Sequence, residues 1–265
     1  MSDRFGGASA AGYDSGFGSI SSQFIPALLR AARVGSGYKV LDVATGTGIA
    51  AEAAIRAIGP SGSLVATDLS PAMLERARER LALRQNVSFA VEDGQSLNFP
   101  DSEFDAVLCA MALMLFPSPG RGLSEFRRVL RRDGWAAVSV ATVPERAFHT
   151  RVDAIIAKHV PDHSVTSARY FSLGNPELLR SLFTAAGFRD VETFTEVRCF
   201  PFGSFAAYFK PIEEGQGPTG RAYVALPADI QQAVRENARQ QLERKTRPGG
   251  PIEVEVELLF CCGRR

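Results

Sequence analysis

The chain has 265 residues, with 30 basic and 29 acidic side chains and a formal net charge of +1 at pH 7. This length is ordinary for one α/β domain with a large core. The balanced charge provides no attraction to a polyanion, which argues against a nucleic-acid partner. The longest apolar run, residues 106–116, is too short to span a bilayer, and the glycine-rich start lacks a signal-peptide core. We therefore expect a cytoplasmic protein without membrane insertion.

The cysteines do not predict a metal site or a disulfide. None of the four has metal-ligand spacing, and the adjacent pair cannot easily close an unstrained disulfide. The four residues are Cys109, Cys199, Cys261 and Cys262. We expect reduced thiols and no bound metal.

The most informative stretch is residues 40–48, with the sequence VLDVATGTG. Val40, Leu41 and Val43 are typical of a strand buried on both faces, and Gly46 and Gly48 allow a sharp turn toward a ligand. A helix is predicted over residues 49–58. Its expected inner face consists of Ile49, Ala50, Ala53, Ala54 and Ala57. Strand, turn and helix N-terminus together form a typical site for a nucleotide-like ligand.

Three acidic residues indicate which ligand this is. Asp42 lies inside the strand, where a cationic amino-acid ligand could use a carboxylate. Asp68 ends the next predicted strand, twenty residues after Gly48, which is the usual offset for a carboxylate that binds ribose hydroxyls. Asp93 follows a third strand, where an adenine edge is expected.

These motifs, together with residues 68–74 (DLSPAML) and 104–108 (FDAVL), resemble those of class I S-adenosylmethionine-dependent methyltransferases. Within that class the chain is similar to the ubiquinone and menaquinone biosynthesis C-methyltransferases, which also carry a pair like Tyr13-Asp14 before the first strand. The resemblance covers residues 10–195 well and the C-terminal third loosely. It implies S-adenosylmethionine as cofactor, S-adenosylhomocysteine as product and a small-molecule acceptor.

The expected fold class is α/β, a doubly wound, mostly parallel, Rossmann-like sheet of seven strands with an antiparallel last strand. Later strands are predicted over residues 63–68, 87–91, 104–109, 135–142, 191–200 and 252–258. Helices are predicted over residues 71–83, around 123–130, and from Asn175 to Gly187. The strict alternation in residues 252–258 suits an antiparallel addition at the edge of the sheet.

We expect a single domain, residues 1–265, with four parts. Residues 1–35 form an N-terminal lid and helix, and residues 36–200 form the cofactor-binding core. Residues 201–251 are an insert expected to cover the substrate pocket, and residues 252–265 are the last strand. A helical stripe within the insert, Ile230, Ala233, Val234, Ala238 and Leu242, indicates a folded segment.

The site residues follow from these motifs and from the resemblance. The expected cofactor contacts are Tyr13, Asp42, Ala44, Thr45, Gly46, Gly48, Asp68, Leu69, Met73, Asp93, Gly94, Gln95 and Ala110. The expected substrate contacts are Phe17, Met111, Met114, Phe116 and Phe202. Core packing is the competing interpretation for Met111, Met114 and Phe116, and a hydrophobic staple is the competing interpretation for Tyr13 and Phe17.

His149 is the expected general base, because it follows the fifth strand, where this fold tends to roof the pocket. A structural histidine is the ordinary alternative. The predicted function is methyl transfer to O or C of an aromatic, quinone-like or polyketide-like compound. An NAD(P)-dependent reductase, favoured only by the loose match Gly46-x-Gly48-x-x-Ala51, and a non-catalytic binding protein remain alternatives. The sequence does not indicate the oligomeric state.

Overall fold

The computed structural model describes residues 18–160, 168–243 and 249–265. Seven strands form one sheet in the order β3-β2-β1-β4-β5-β7-β6. Their bounds are β1 Lys39–Val43, β2 Ser63–Asp68, β3 Val87–Val91, β4 Phe104–Ala110, β5 Leu130–Ala141, β6 Arg189–Phe202 and β7 Ile252–Arg264. The predicted doubly wound α/β class is confirmed.

The centre of the sheet is parallel. Strand β1 pairs with β2 on one side and with β4 on the other, and the register sets Asp42 opposite Ala66 and Leu108. Strand order reverses between β1 and β4, and in doubly wound sheets the ligand crevice opens at such a switch point, beyond the carboxyl ends of the strands. Strand β1 is buried from Val40 to Val43, as its apolar sequence predicts.

Helices connect the strands in the described ranges. Their bounds are α1 Ser19–Ser22, α2 Ile25–Ala31, α3 Ile49–Ile58, α4 Pro71–Arg80, α5 Pro119–Val129, α6 Thr150–Ile156, α7 Pro176–Ala185, α8 Phe205–Glu213, α9 Gly217–Val224 and α10 Ala228–Glu243. Ser70 caps α4 by accepting a hydrogen bond from the Met73 amide, and Asn175 caps α7 by accepting one from the Leu178 amide. Both caps precede a proline at the first helical position, as the sequence signal predicts.

The inner face of α3 differs from the expected one. The buried residues are Ala50, Ala51, Ala54, Ile55 and Ile58, whereas Ala57 is exposed. Alanines occur all around this helix, so the two isoleucines determine which side faces the sheet, because they have more apolar area to bury.

Strand β5 begins earlier than predicted. Helix α5 ends at Val129, and the next residue, Leu130, already pairs with Phe104 of β4. The register then shifts, so that the next pair is Trp135 with Ala106. Residues 131–134 therefore form a bulge, in which Asp133 takes a left-handed φ of 65°. The Asp133-Gly134 pair marks this bulge and not the end of a helix.

The expectation that the last strand lies at the edge of the sheet is wrong. Strand β7 lies between β5 and β6, so β6 forms the edge. Only the first half of β7 alternates between buried and exposed residues, and Leu258–Gly263 is mostly buried and pairs antiparallel with β5. The alternating half misled the prediction, because it is not the half that lies beside β5.

The chain divides into two compact units. Unit 1 comprises, among the described residues, 18–141, 173–196 and 258–265, and unit 2 comprises 142–160, 168–172, 197–243 and 249–257. Three helices follow β6 and all lie in unit 2, whereas the sequence predicted only the helical stripe that lies in α10. In α10 the residues Val234, Ala238 and Leu242 of that stripe are buried. None of the helices in the described ranges has the length and apolar character needed to cross a bilayer.

Candidate functional site

The turn after β1 is built from left-handed backbone. Ala44, Gly46 and Gly48 have φ angles of 55°, 58° and 84°. A Cβ on Gly48 would lie 3.2 Å from the Cα of Ala77, so α4 packs directly on the turn. Gly48 is also the N-cap of α3, whose first amides lack partners within the helix. The amides of Thr45, Gly46 and Gly48 already donate to acceptors within the protein, so the N–H groups left for a ligand are the first amides of α3. The two glycines make this geometry inexpensive.

Arg80 holds this turn in place, a role that was not predicted from the sequence. Its Nε donates a hydrogen bond of 2.8 Å to the carbonyl oxygen of Thr47, 33 residues away. Its Nη1 pairs with Glu52 on α3 at 3.2 Å. Arg80 belongs to the half-exposed side of α4, outside the apolar stripe that periodicity detects.

Asp68, at the end of β2, also contacts the turn. Its Oδ2 accepts a hydrogen bond from the Gly46 amide at 2.9 Å, and its Oδ1 accepts one from the Ser70 amide at 2.9 Å. Burial raises the pKa of this carboxyl, while the two amides act in the opposite direction. Each carboxylate oxygen can accept more than one hydrogen bond, so Asp68 keeps acceptor capacity for hydroxyl groups.

Asp42 is fully buried on β1, and one of its oxygens is unpaired. Oδ2 accepts a hydrogen bond of 2.6 Å from the Thr45 hydroxyl, whereas Oδ1 has no partner among the described residues. Burial, together with the nearby Asp68 charge, raises the pKa of Asp42 to about 7, although the hydrogen bond from Thr45 acts in the opposite direction. A buried polar atom without a partner is rare and costly, so this position favours a ligand with positive charge.

The third acidic residue, Asp93, lies in a short loop after β3. Gln95 donates from Nε2 to the Asp93 carboxylate at 3.1 Å, and its Oε1 accepts a hydrogen bond of 2.7 Å from the Ser118 amide. Gln95 therefore joins the Asp93 loop to the loop before α5, so its amide orients Asp93. Asp93 itself is exposed.

Phe116 packs against the Asp93 loop. A Cβ on Gly94 would come within 2.6 Å of the Phe116 ring, and one on Gly122 within 2.7 Å. The ring also meets Phe126 edge to face, with centroids 6.3 Å apart. Phe116 is only half-buried, so it supports the Asp93 loop and still exposes part of its surface.

Two further predicted cofactor residues differ in exposure. Leu69, directly after Asp68, leaves 65% of its surface exposed, which is unusual for a leucine and available to an apolar ligand face. Met73 is buried on the inner face of α4. Its side chain packs in the core of unit 1.

The carboxyl end of β4 carries a strained residue. Met111 follows the half-buried Ala110 and has φ of 54°, which costs a residue with a Cβ about 1–2 kcal/mol. Its amide donates to the Ser139 carbonyl at 2.9 Å and lies 3.2 Å from the Ser139 hydroxyl. Backbone strain at a strand end beside a ligand crevice is typical of functional sites. Met111 and Met114 are both buried, as core residues are.

The predicted base lies in unit 2, as does Phe202. His149 directly precedes α6, and its ring stacks on Phe148 with centroids 4.1 Å apart. Burial, followed by the charge of Arg151, lowers the pKa of His149 to about 4, so the imidazole is neutral at pH 7. Neither ring nitrogen has a hydrogen-bond partner among the described residues. Phe202 stacks on Phe148 with centroids 5.9 Å apart.

Tyr13 and Phe17 lie outside the described residues, so their predicted roles as a lid stay predictions. Within residues 18–160, 168–243 and 249–265, no cluster of histidine, cysteine, aspartate or glutamate has the arrangement of a metal site.

Comparison with known proteins agrees with this site. The model of the methyltransferase domain family matches residues 40–134. A demethylmenaquinone methyltransferase of Bacteroides fragilis is 39% identical over 125 residues, which are 46% of this chain and 51% of the relative, so this match spans about half of the relative's length. A protein from Bacillus halodurans, 21% identical, shares the fold with a TM-score of 0.64 over 91% of this chain and 98% of its own.

The match to a demethylmenaquinone methyltransferase of Clavibacter sepedonicus is longer. It is 31% identical over 214 residues, which are 76% of this chain and 82% of the relative. The chain belongs to the class I S-adenosylmethionine-dependent methyltransferases.

Proposed function

We propose that this protein transfers a methyl group from S-adenosylmethionine to O or C of a small aromatic, quinone-like or polyketide-like acceptor. The observation that carries the proposal is the buried carboxylate of Asp42, with one oxygen unpaired, beside Asp68 and the left-handed glycine turn. This arrangement suits a ligand that is both a cationic amino acid and a nucleoside.

Asp42 serves the amino-acid end of the cofactor in this proposal. Its charge lies in a fully buried, weakly screening environment, where attraction to an ammonium group is strongest. The first amides of α3 then face the carboxylate of the same amino acid. Thr45, Gly46 and Gly48 act through their backbone, with the Thr45 hydroxyl keeping Asp42 in position.

Asp68 serves the ribose, and the Asp93 loop serves the base. Because the two Asp68 oxygens already accept backbone amides, the carboxylate is oriented before any ligand arrives. The exposed Leu69 offers an apolar surface to the adenine ring, and Gln95 orients Asp93 toward its polar edge. Gly94 and Ala110 supply contacts without bulk.

Bound S-adenosylmethionine supplies an activated methyl group, so the protein mainly has to hold the acceptor atom in line with the carbon–sulfur bond. The proposed acceptor contacts, Met111, Met114 and Phe116 in unit 1 and Phe202 in unit 2, are all apolar, which favours aromatic or quinone-like compounds. The relatives named as demethylmenaquinone methyltransferases support this acceptor class. A small-molecule partner without nucleic acid or membrane insertion, and a cytoplasmic location, belong to the same proposal.

A proton leaves the acceptor when the new bond forms, and His149 is the proposed recipient. Its ring is neutral and its nitrogens are unpaired among the described residues, so it can accept a proton. A pKa of about 4 makes it a weak base, however, which limits its contribution. Positioning of the acceptor would then supply most of the rate enhancement.

An NAD(P)-dependent reductase is the alternative from another enzyme class, and a protein that binds the cofactor without catalysis is the third possibility. Membership of the methyltransferase family argues against the reductase. A methylation assay and a parallel binding measurement together separate all three. The purified chain is incubated with S-adenosylmethionine and a panel of phenols, hydroxynaphthoquinones and quinols, and each acceptor is examined by mass spectrometry for one added methyl group.

We expect at least one methylated product and an equal amount of S-adenosylhomocysteine. A parallel binding measurement should give a Kd for S-adenosylhomocysteine and no binding of NAD. Cofactor binding without any methylated acceptor would favour the non-catalytic alternative, and tight NAD binding would contradict the proposal.

Asp42 predicts a pH dependence of cofactor affinity. The free protein holds this carboxyl with a pKa of about 7, well above its ordinary value of 3.8, so the carboxyl is mostly protonated at pH 6. An ammonium ligand requires the ionised form. Affinity for S-adenosylhomocysteine should therefore rise as pH increases from 5.5 to 7, by up to about tenfold per unit. Calorimetry at several pH values measures this slope.

Asp42→Asn is the matched variant, because asparagine keeps the shape and an oxygen that can accept from Thr45. It should bind more weakly at pH 7 and show a much flatter slope. Equal slopes in the wild type and the variant would assign the titration to another group.

Asp68 predicts selectivity for the ribose hydroxyls. Asp68→Ala should weaken binding of S-adenosylhomocysteine by on the order of 2 kcal/mol, about thirtyfold in Kd. Because Asp68 also accepts the Gly46 and Ser70 amides, the alanine variant alone would not separate ribose contacts from loop positioning.

The 2′-deoxy and 3′-deoxy analogues of the ligand make that separation. The wild type should discriminate against them, and Asp68→Ala should lose most of this discrimination, whereas Asp93→Asn should keep it. A variant that discriminates as well as the wild type would limit Asp68 to holding the loop.

His149→Ala should lower kcat by roughly 10²-fold, the lower end of the range for general-base catalysis, while leaving cofactor affinity intact. With saturating cofactor, kcat/KM for the acceptor should fall only as pH drops toward about 4. His159→Ala is the matched control, because His159 is an exposed histidine of the same unit. Full turnover in His149→Ala, with an unchanged pH profile, would make His149 a structural residue.

A further inference from the structure

Arg151, on α6 in unit 2, is a buried cation that the proposed reaction does not yet use. Only 5% of its surface is exposed. Its Nε donates to the Ala147 carbonyl, and one Nη donates to the Glu255 carbonyl at 2.9 Å. A guanidinium has five N–H donors, so most of them have no acceptor in the described part of the chain.

No carboxylate in the described ranges forms an ion pair with Arg151. The nearest acidic groups are Glu145 and Glu255, which act on it only at longer range. Arg146 competes with Arg151 for the negative charge of nearby glutamates, because it pairs with Glu257 at 3.4 Å and lies 3.9 Å from Glu255. Burial lowers the pKa of Arg151, which shows how unfavourable its surroundings are for a cation. An isolated buried charge is costly unless a partner neutralises it.

Aromatic rings pack on one another at the start of α6, the helix that carries Arg151. Tyr208 meets His149 and Phe202 edge to face, with centroids 5.5 Å and 5.4 Å apart. Arg151 is close enough to influence the titration of both Tyr208 and His149. The Tyr208 hydroxyl donates to the Phe148 carbonyl at 3.1 Å, so its proton is already used. The neutral His149 brings no positive charge, which leaves Arg151 as the cation of the cluster.

We propose that the Arg151 cluster, made of Phe148, His149, Arg151, Phe202 and Tyr208, binds a planar aromatic anion. The guanidinium donates to a carboxylate or phenolate oxygen of the ligand, and the aromatic rings of the cluster contact its ring system. Arginine is suited to this task because its planar fork matches two acceptor oxygens. The inference rests on the proposed function, since the anion would be the methyl acceptor, and it narrows the acceptor class to aromatic acids and acidic phenols.

The test measures binding without cofactor, so that it does not depend on methyl transfer. Calorimetry on the whole wild-type chain compares 2-naphthoate with 2-naphthamide, which has the same ring system and no charge. Naphthoate should bind at least tenfold more tightly than naphthamide, because charged hydrogen bonds are the stronger ones. A second pair, 4-nitrophenolate and 4-nitroanisole at pH 8.5, tests whether a phenolate is recognised as well.

Variants assign the selectivity to one residue. Arg151→Gln should lower naphthoate affinity by roughly tenfold to a hundredfold and bring it close to that of naphthamide. Arg151→Lys should keep part of the preference, because it retains the charge but not the fork. Arg146→Gln removes the same charge from a neighbouring arginine that is already paired, and it should leave the preference unchanged.

The outcomes are distinct. Equal affinity of the wild type for naphthoate and naphthamide, or no binding of either, overturns the proposal even if the glutamine variant does not fold. Loss of the preference in Arg146→Gln but not in Arg151→Gln would also overturn it. Selective naphthoate binding without methylation of any acceptor would support the anion site and contradict the proposed function, so the two failures can be told apart.

Discussion

The interaction on which the site depends is the close approach of two carboxylates at the carboxyl ends of β1 and β2. The parallel register brings Asp42 and Asp68 to the same edge of the sheet, where the charge of Asp68 disfavours ionisation of Asp42. Asp68 tolerates this because two backbone amides stabilise it, and one of them belongs to the glycine turn. The hydrogen bond from the Gly46 amide that stabilises Asp68 thus also fixes the conformation of the ligand-binding turn.

Stability and binding act against each other at Asp42. In the free protein the folded state holds the carboxyl proton more tightly than the unfolded state, so stability falls as pH rises from about 4 through about 7. A cationic ligand reverses this loss, because it pairs with the ionised form. The ligand-free site is therefore least stable at the pH at which we expect the ligand to bind most tightly. Met111, with its left-handed φ, stores strain at the same edge of the sheet.

The site residues that could be predicted from the sequence are those whose spacing along the chain is set by the chemistry of the ligand. Asp42 follows from a charged residue in an apolar strand, and Asp68 from its distance to Gly48, because a nucleoside spans a constant length between adjacent strands. Arg80 was not predictable, because its contact with Thr47 joins residues that no periodicity links. The place of β7 was missed for a similar reason. Strand alternation reports which faces are solvated and says nothing about which strands are neighbours.

The two units differ in the charge that they offer to a ligand. In unit 1 the buried groups at the strand ends are acidic, which suits a cofactor with a sulfonium and an ammonium group. In unit 2 the buried charge is the guanidinium of Arg151, which suits an anion. A cationic methyl donor and an anionic acceptor would each be repelled from the other's site, because a like charge in a weakly screening interior is far more costly than in water. Under the two proposals, opposite charges in the two units would give specificity twice, because each unit would reject the reactant that the other binds.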